Sequence, residues 1–357
     1  MSWCMQKSAH TALFTLALVA SGFSTLASAQ RYSQTNLVSD VAAWASTVDA
    51  HLKNAWGLAY SATSPVWVAD NGTGFSTLYT GTGAIVPLVV TVPRPAGGRE
   101  PATPTGIVFN GNGGFTVSDG GRSGSSIFIF DTEDGTISGW NPNVALHFAK
   151  RMVDNSGMGA VYKGLAIGTT TKGTFLYATN FNSGWVEIYD SQFQWVKNFT
   201  DMDIPDGYGP FGIRNINGKL YVTYAKQDAD KHDDVAGVGL GFVDVFDLNG
   251  NKIKRLVSKG ALNSPWGLAL APSNFGKFSG ALLVGNFGDG RIDAYNISTG
   301  AWLGRFLRAN GSILSIDGLW GLSFGTGGTS GPTNTLLFTA GPDHESHGLF
   351  GTLTAIP

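Results

Sequence analysis

The chain has 357 residues, 43% of them hydrophobic and only 13% charged, with 50 glycines, a single cysteine and a formal charge of −2. So weak an acidity argues against nucleic acid or an anionic membrane as the main partner, and one cysteine, Cys4, leaves no disulfide to staple the fold. Glycine spread evenly among many aromatic residues points to tight turns between short strands.

At the start of the chain Lys7 supplies a weakly basic region, Thr11 to Val19 an apolar run and Ala27-Ser-Ala29 a small-residue cleavage signal. Together they predict a secretory leader, residues 1–29, cleaved before Gln30. The apolar run is shorter than the ~20 residues that a spanning helix needs, so no membrane span is expected after cleavage. The expected compartment is extracellular or periplasmic, and the expected mature protein is monomeric.

Residues 30–357 carry an internal repeat. Trp56-Gly57-Leu58, Thr105-Gly106-Ile107, Lys163-Gly164-Leu165, Phe211-Gly212-Ile213, Trp266-Gly267-Leu268 and Trp320-Gly321-Leu322 each place a glycine before an aliphatic residue, at intervals of 49, 58, 48, 55 and 54 residues. Short apolar runs follow each: Val66–Asp70, Phe115–Asp119, Phe175–Asn180, Leu220–Tyr224, Leu282–Asn286 and Leu336–Thr339 as second strands, then Ser126–Asp131, Trp185–Asp190, Phe242–Asp247 and Arg291–Asn296 as third strands, with a weaker Thr77–Tyr79 in the first unit. Asp or Asn at the end of a third strand suits the turn into a fourth. A period near 50 with four strands per unit predicts an all-β, six-bladed propeller in one domain. The sixth unit lacks a fourth strand, and Thr35-Asn-Leu-Val-Ser-Asp-Val41 has no unit of its own. The N-terminal run is therefore expected to complete the sixth blade and hide two strand edges.

The segments Asn36–Asp40, Asn54–Leu58, Trp67–Gly72, Glu133–Trp140, Tyr221–Asp234, Leu283–Gly290 and Phe338–Pro342 resemble a family of exported bacterial six-bladed propellers, distantly similar to NHL-repeat proteins. Some members carry a sorting tail with a Pro-Glu-Pro motif, which does not follow Pro357 here. The resemblance implies a fold and a compartment but no reaction.

Function has to come from the face that the loops build. The loops between second and third strands are expected on the side where the inner strands begin; Asn180, Asn286 and His344 lie on them, and they gather the carboxylates Asp70, Asp119, Asp228, Asp230, Asp289 and Asp343 at the channel mouth. Such oxygens would suit Ca²⁺ as a cofactor; alternatively each closes its own turn. Asp228, Asp230, His232 and Asp234 alternate along the longest of these loops and faintly resemble a calcium loop, without its glycine and distal glutamate. The same loop also reads as a solvated rim or a ligand-gripping lid. His344 and His347 offer a weaker zinc or copper pair. Trp56, Phe211, Trp266 and Trp320 precede the repeated glycine, a place Lys163 takes in the third unit; the aromatic residues would form either a stacking surface for a ligand or packing between blades.

No nucleophile elbow or phosphate-binding loop is present. The favoured function is a secreted binding scaffold whose acidic and aromatic face meets a carbohydrate, peptide or protein. The alternative is a Ca²⁺-assisted hydrolase or lyase at the channel mouth.

Overall fold

The computed structural model describes residues 1–3 and 30–356, so all but the first three residues of the expected leader, Cys4 among them, lie outside the described residues. Six four-stranded antiparallel blades form a propeller, and the only helical segments among the described residues are two single 3₁₀ turns. From the axis outward, blade I is built from Ala55–Ala59, Val66–Asp70, Phe75–Tyr79 and Ile85–Thr91. Blade II is Pro104–Phe109, Phe128–Thr132, Thr136–Trp140 and Lys150–Asp154; blade III is Tyr162–Thr170, Gly173–Asn180, Trp185–Tyr189 and Trp195–Phe199. Blade IV is Tyr208–Ile216, Lys219–Lys226, Gly241–Asp247 and Lys252–Ser258; blade V is Pro265–Leu270, Leu282–Asn286, Ile292–Tyr295 and Trp302–Arg305.

Blade VI joins the chain ends. Leu319–Phe324, Leu336–Ala340 and Leu349–Ile356 are completed by Arg31–Ser39, which pairs antiparallel with Leu349–Ile356 from Arg31 opposite Ile356 to Ser39 opposite Leu349. The closing strand thus begins a few residues earlier than the predicted Thr35. Thr47–Val48 adds a short parallel fifth strand on its outer side.

Burial follows the radius. Every residue of Val66–Asp70 is buried, whereas four of the five in Trp195–Phe199 are exposed. Between blades the seams fill with large side chains, such as Trp67, Phe128, Phe130 and Trp140 between blades I and II. The predicted turns into outer strands form as expected: Asp190, Asp247 and Asn296 each accept two backbone N–H groups at 2.8–2.9 Å.

The repeated glycine has a steric cause. A Cβ on Gly57 would lie 2.5 Å from Thr105 O, on Gly106 2.3 Å from Leu165 N, and on Gly164 3.0 Å from Phe211 O. On Gly212 it would meet Trp266 O at 2.1 Å, on Gly267 Trp320 O at 2.5 Å, and on Gly321 Trp56 O at 2.7 Å. Each inner strand therefore presses its backbone on that of the next blade, and the sixth contact returns to the first.

Blade II departs from the predicted strand order. Thr116–Asp119 pairs with Arg122–Ser125 as an inserted hairpin, and Phe128–Thr132, expected as a third strand, is the second. Asp131 lies within that second strand, one residue before its end, instead of opening an outer turn. Its buried Oδ1 accepts the Gly106 N–H at 2.6 Å and the Thr105 hydroxyl at 3.0 Å.

Gly267→Ala is expected to lower stability by about 1–3 kcal/mol through backbone crowding. Gly157→Ala, where a Cβ meets nothing within 4 Å, should leave it nearly unchanged. Urea unfolding of the two variants checks the difference.

Candidate functional site

The inner strands all begin on one face, and the connections from second to third strands emerge there. At its centre stands Lys163, on the inner strand of blade III, with its side chain only 2% exposed. Its side chain lies among rings, with Nζ 5.3 Å from the Trp56 ring centre and 5.8 Å from that of Phe181. Nζ donates to Glu133 Oε1 and lies 3.3 Å from Asp233 Oδ1. Burial alone would lower its pKa, but Glu133 and Asp233 outweigh burial and raise it, so the ammonium stays charged.

A polar chain holds Glu133 in place. Asn71 Nδ2 donates to Glu133 Oε2 at 2.8 Å, Asn54 Nδ2 donates to Asn71 Oδ1 at 3.1 Å, and Trp320 Nε1 donates to Asn54 Oδ1 at 3.1 Å. Blades I, II and VI are thereby tied to Lys163.

The long loop of blade IV reaches over this centre. Asp233 and His232 share a 2.9 Å contact between Oδ1 and Nδ1. That hydrogen bond lowers the Asp233 pKa to about 2 and raises that of His232. Glu345 approaches from blade VI. Burial, then the charge of Glu133, raise its pKa to about 7 against the pull of Asn54 and Lys163. It rides on three successive left-handed residues, Asp343, His344 and Glu345, with φ of 56°, 53° and 63°. Non-glycine residues adopt this conformation at a cost of roughly 1–2 kcal/mol each, and such strain concentrates at functional sites.

Beneath Lys163 the aromatic residues pack on one another. Trp56 stacks on Trp320 with centres 3.5 Å apart, Phe287 stacks on the other Trp320 face at 3.9 Å, and Trp266 meets Trp56 edge-on at 5.9 Å. Phe211 meets Trp320 at 5.8 Å and Phe181 at 5.2 Å. Blades I and V, and IV and VI, are not neighbours in the ring, so these contacts cross the axis. Trp56, Phe181, Phe211 and Trp320 are all at most 2% exposed, forming a plug across the channel instead of an open stacking surface or a seam filler.

The other predicted residues scatter. Asp119 lies on the inserted hairpin at the far side and pairs with Lys150 at 2.6 Å. Asp70 is wholly buried, and desolvation raises its pKa far above the usual carboxylate range. Asn180 ties the strands of its own blade together, accepting the Val161 N–H ahead of the inner strand at 3.2 Å and donating to Glu187 on the third strand at 2.8 Å. Asn286 does the same with Asn263 N–H at 3.0 Å and Asp293 at 3.1 Å. Asp343 and His344 are exposed on the rim. Of the residues expected as a calcium loop, Asp228 accepts the His232 N–H at 2.9 Å, Asp230 is exposed and Asp234 is largely buried, which raises its pKa. Among the described residues, the group of three metal-capable side chains whose ligand atoms lie within 4.8 Å of one another is Glu133, His232 and Asp233. His347, the second half of the histidine pair, lies 2.8 Å from Asp40 through Nδ1.

The sequence reading therefore reached Lys163, Trp56 and His232 but missed Glu133, Asp233 and Glu345 as partners. Glu133 was masked by the misplaced strand of blade II, although the adjoining Asp134-Gly135 marks a turn.

Fold and site together define a six-bladed propeller whose channel mouth is filled by a lysine–carboxylate cluster over an aromatic plug. The chain belongs to the same family as two uncharacterized proteins of Acanthamoeba polyphaga mimivirus. One is 33% identical over 326 residues, covering 89% of this chain and 78% of the relative. The other is 34% identical over 330 residues, covering 89% and 84%. These relatives are viral, whereas the sequence motifs suggested exported bacterial proteins. No protein-family profile matches the chain. Among solved structures, virginiamycin B lyase from Staphylococcus aureus shares 13% identity and a TM-score of 0.51 over 92% of this chain and all (100%) of that one. A putative gluconolactonase shares 13% and 0.54 over 92% and 93%. At such identity the likeness shows the fold alone.

Lys163→Met is expected to destabilise by about 3–5 kcal/mol, because Glu133 is left buried without a cation. Glu345 has the opposite pH signature. Its pKa is higher folded than unfolded, so stability falls as pH rises from about 4.5 toward 7 and then levels. Glu345→Gln should melt increasingly above the wild type between pH 5 and 8, by up to about 3 kcal/mol, as read by thermal unfolding across that range.

Proposed function

We propose that the protein is an exported binding propeller that takes a cationic ligand, a basic segment of a partner protein, on its loop face. The observation that carries this reading is the separation of charge at the mouth. Lys163 is buried and neutralised by Glu133 and Asp233, whereas Asp230, Asp317 and Asp343 are exposed around it. The face is left with unspent negative charge, which speeds and orients the approach of a basic partner. The burial of the tryptophans in the plug favours this ligand over a sugar that would need an open ring to stack on. The expected leader supports export.

A second reading rests on Glu133, His232 and Asp233, with Glu345 beside them. A cation there would supply Lewis-acid polarisation of a substrate oxygen, and Glu345, titrating near neutrality, would move the proton, as in a hydrolase or lyase. Two carboxylates and an imidazole suit zinc or manganese better than Ca²⁺, which prefers six or more oxygens. Lys163 already engages Glu133 and Asp233, so a metal has to displace its ammonium.

Titration calorimetry with a lysine-rich peptide should show binding that weakens with salt, and Asp230→Asn/Asp317→Asn/Asp343→Asn should weaken it at least tenfold. Equal binding of an acidic peptide, or indifference to salt, would overturn the proposal. Elemental analysis and melting with chelator, Ca²⁺ or Zn²⁺ address the second reading: metal-free protein with an unmoved melting curve removes it.

A further inference from the structure

Below the aromatic plug the channel opens into a cavity of about 290 Å³, lined by the inner strands of all six blades. Its walls are mostly apolar, with Leu58, Ile107, Leu165, Ala166 and Leu322 among them, and Trp266 faces it beside the plug. A second pocket of about 280 Å³ at the far end of the channel shares Tyr60, Arg214, Asn215 and Ser323 with this cavity. Those four residues stand where the cavity meets the surface.

Arg214 is unusual among the cations of this protein. From blade IV it reaches to blade VI, donating through Nη1 to Leu322 O and through Nη2 to Ser323 Oγ, both at 2.8 Å. Both acceptors are neutral, and no carboxylate among the described residues lies within ion-pair distance of it. A guanidinium carries five N–H donors in a planar fork, so part of the fork is unspent. Burial pulls its pKa below the ordinary arginine value, and Tyr60 only partly offsets this. A charge held in such surroundings without a counterion is costly, and a visiting anion would relieve that cost. By contrast Lys163, Arg255 and Arg305 each have an acidic partner.

We infer that the channel is a binding site for a small amphipathic monocarboxylate, its apolar body inside the cavity and its carboxylate on Arg214 at the doorway. The Tyr60 hydroxyl lies beside this doorway and is bonded to Phe324 O and Ser323 Oγ, which fixes the polar rim around the head group. An apolar pocket with a few convergent polar groups is the usual form of a small-molecule site. This site is separate from the acidic loop face and stands or falls independently of it.

The probe is hexanoate, compared by titration calorimetry with hexan-1-ol, acetate and inorganic phosphate on the full chain. Hexanoate should bind best, because it alone offers both the body and the charge, and Arg214→Gln should weaken it at least tenfold while Asp230→Asn leaves it unchanged. Should Arg214→Gln fail to fold, 6-bromohexanoate serves with the wild type. It should quench the fluorescence of Trp266, and Trp266→Phe should remove that quenching. Equal affinity for hexan-1-ol, preference for phosphate, no binding of hexanoate, or unaltered binding by a folded Arg214→Gln would each overturn the inference.

Discussion

The whole ring depends on backbone meeting backbone at six glycines. At Gly57, Gly106, Gly164, Gly212, Gly267 and Gly321 the neighbouring blade lies so close that a Cβ would sit 2.1–3.0 Å from one of its main-chain atoms. None of the six has a positive φ, so the need is for space and not for a special conformation. Hydroxyl groups reinforce the same seams. Thr105 donates to Tyr162 O at 2.8 Å, Thr179 to Phe211 O at 2.7 Å, and Thr339 to Trp56 O. Close approach at the axis leaves wedge-shaped gaps farther out, and the aromatic and branched side chains of the second and third strands fill them.

That same closeness sets the chemistry of the mouth. The residue before each glycine projects toward the axis, where space suffices only for rings packed on rings. Two positions differ: Thr105 is small and spends its hydroxyl on the next blade, and Lys163 is tolerated because its stem packs like an apolar chain while Glu133 and Asp233 take its charge. Carboxylates from blade II and from the blade IV loop thus converge on a cation from blade III. Glu345, desolvated on blade VI and facing the charge of Glu133, holds its proton near neutrality as a result.

The architecture was legible because its rule is local and repeated. A glycine that must face a neighbouring backbone appears in sequence as Trp-Gly-Leu or its equivalent six times over, and the unpaired run after Asn36 had one place to go. The site was less legible because it is built from the exceptions. The 58-residue interval between Gly106 and Gly164 is the longest of the five and corresponds to the inserted hairpin, but strand propensity could not say which pair of strands was extra. The hairpin reads as strand as well as its neighbours do, so Asp119 was set at the end of the second strand, a place that Thr132 holds, and Glu133 just after it was passed over. Asn180 and Asn286 matched the pattern because each serves its own blade, holding the entry to the inner strand, which is why regularity pointed away from the chemistry. Arg214 follows an aliphatic residue on an inner strand, and only the assembled ring shows that it lacks a counterion.

The pairing of Arg31–Ser39 with Leu349–Ile356 has an implication for how the molecule is made. Arg31–Ser39 finds its partner only on the far side of the five other blades in sequence, so blades I to V can stack while blade VI waits with an open edge. The entropy of bringing distant ends together grows only logarithmically, by about 0.6 kcal/mol for each doubling of the loop, so the size of the circle is little obstacle. The location of the seam is then a matter of genetic punctuation: a circularly permuted gene, with the old ends linked and new ones opened between two other blades, encodes the same circle.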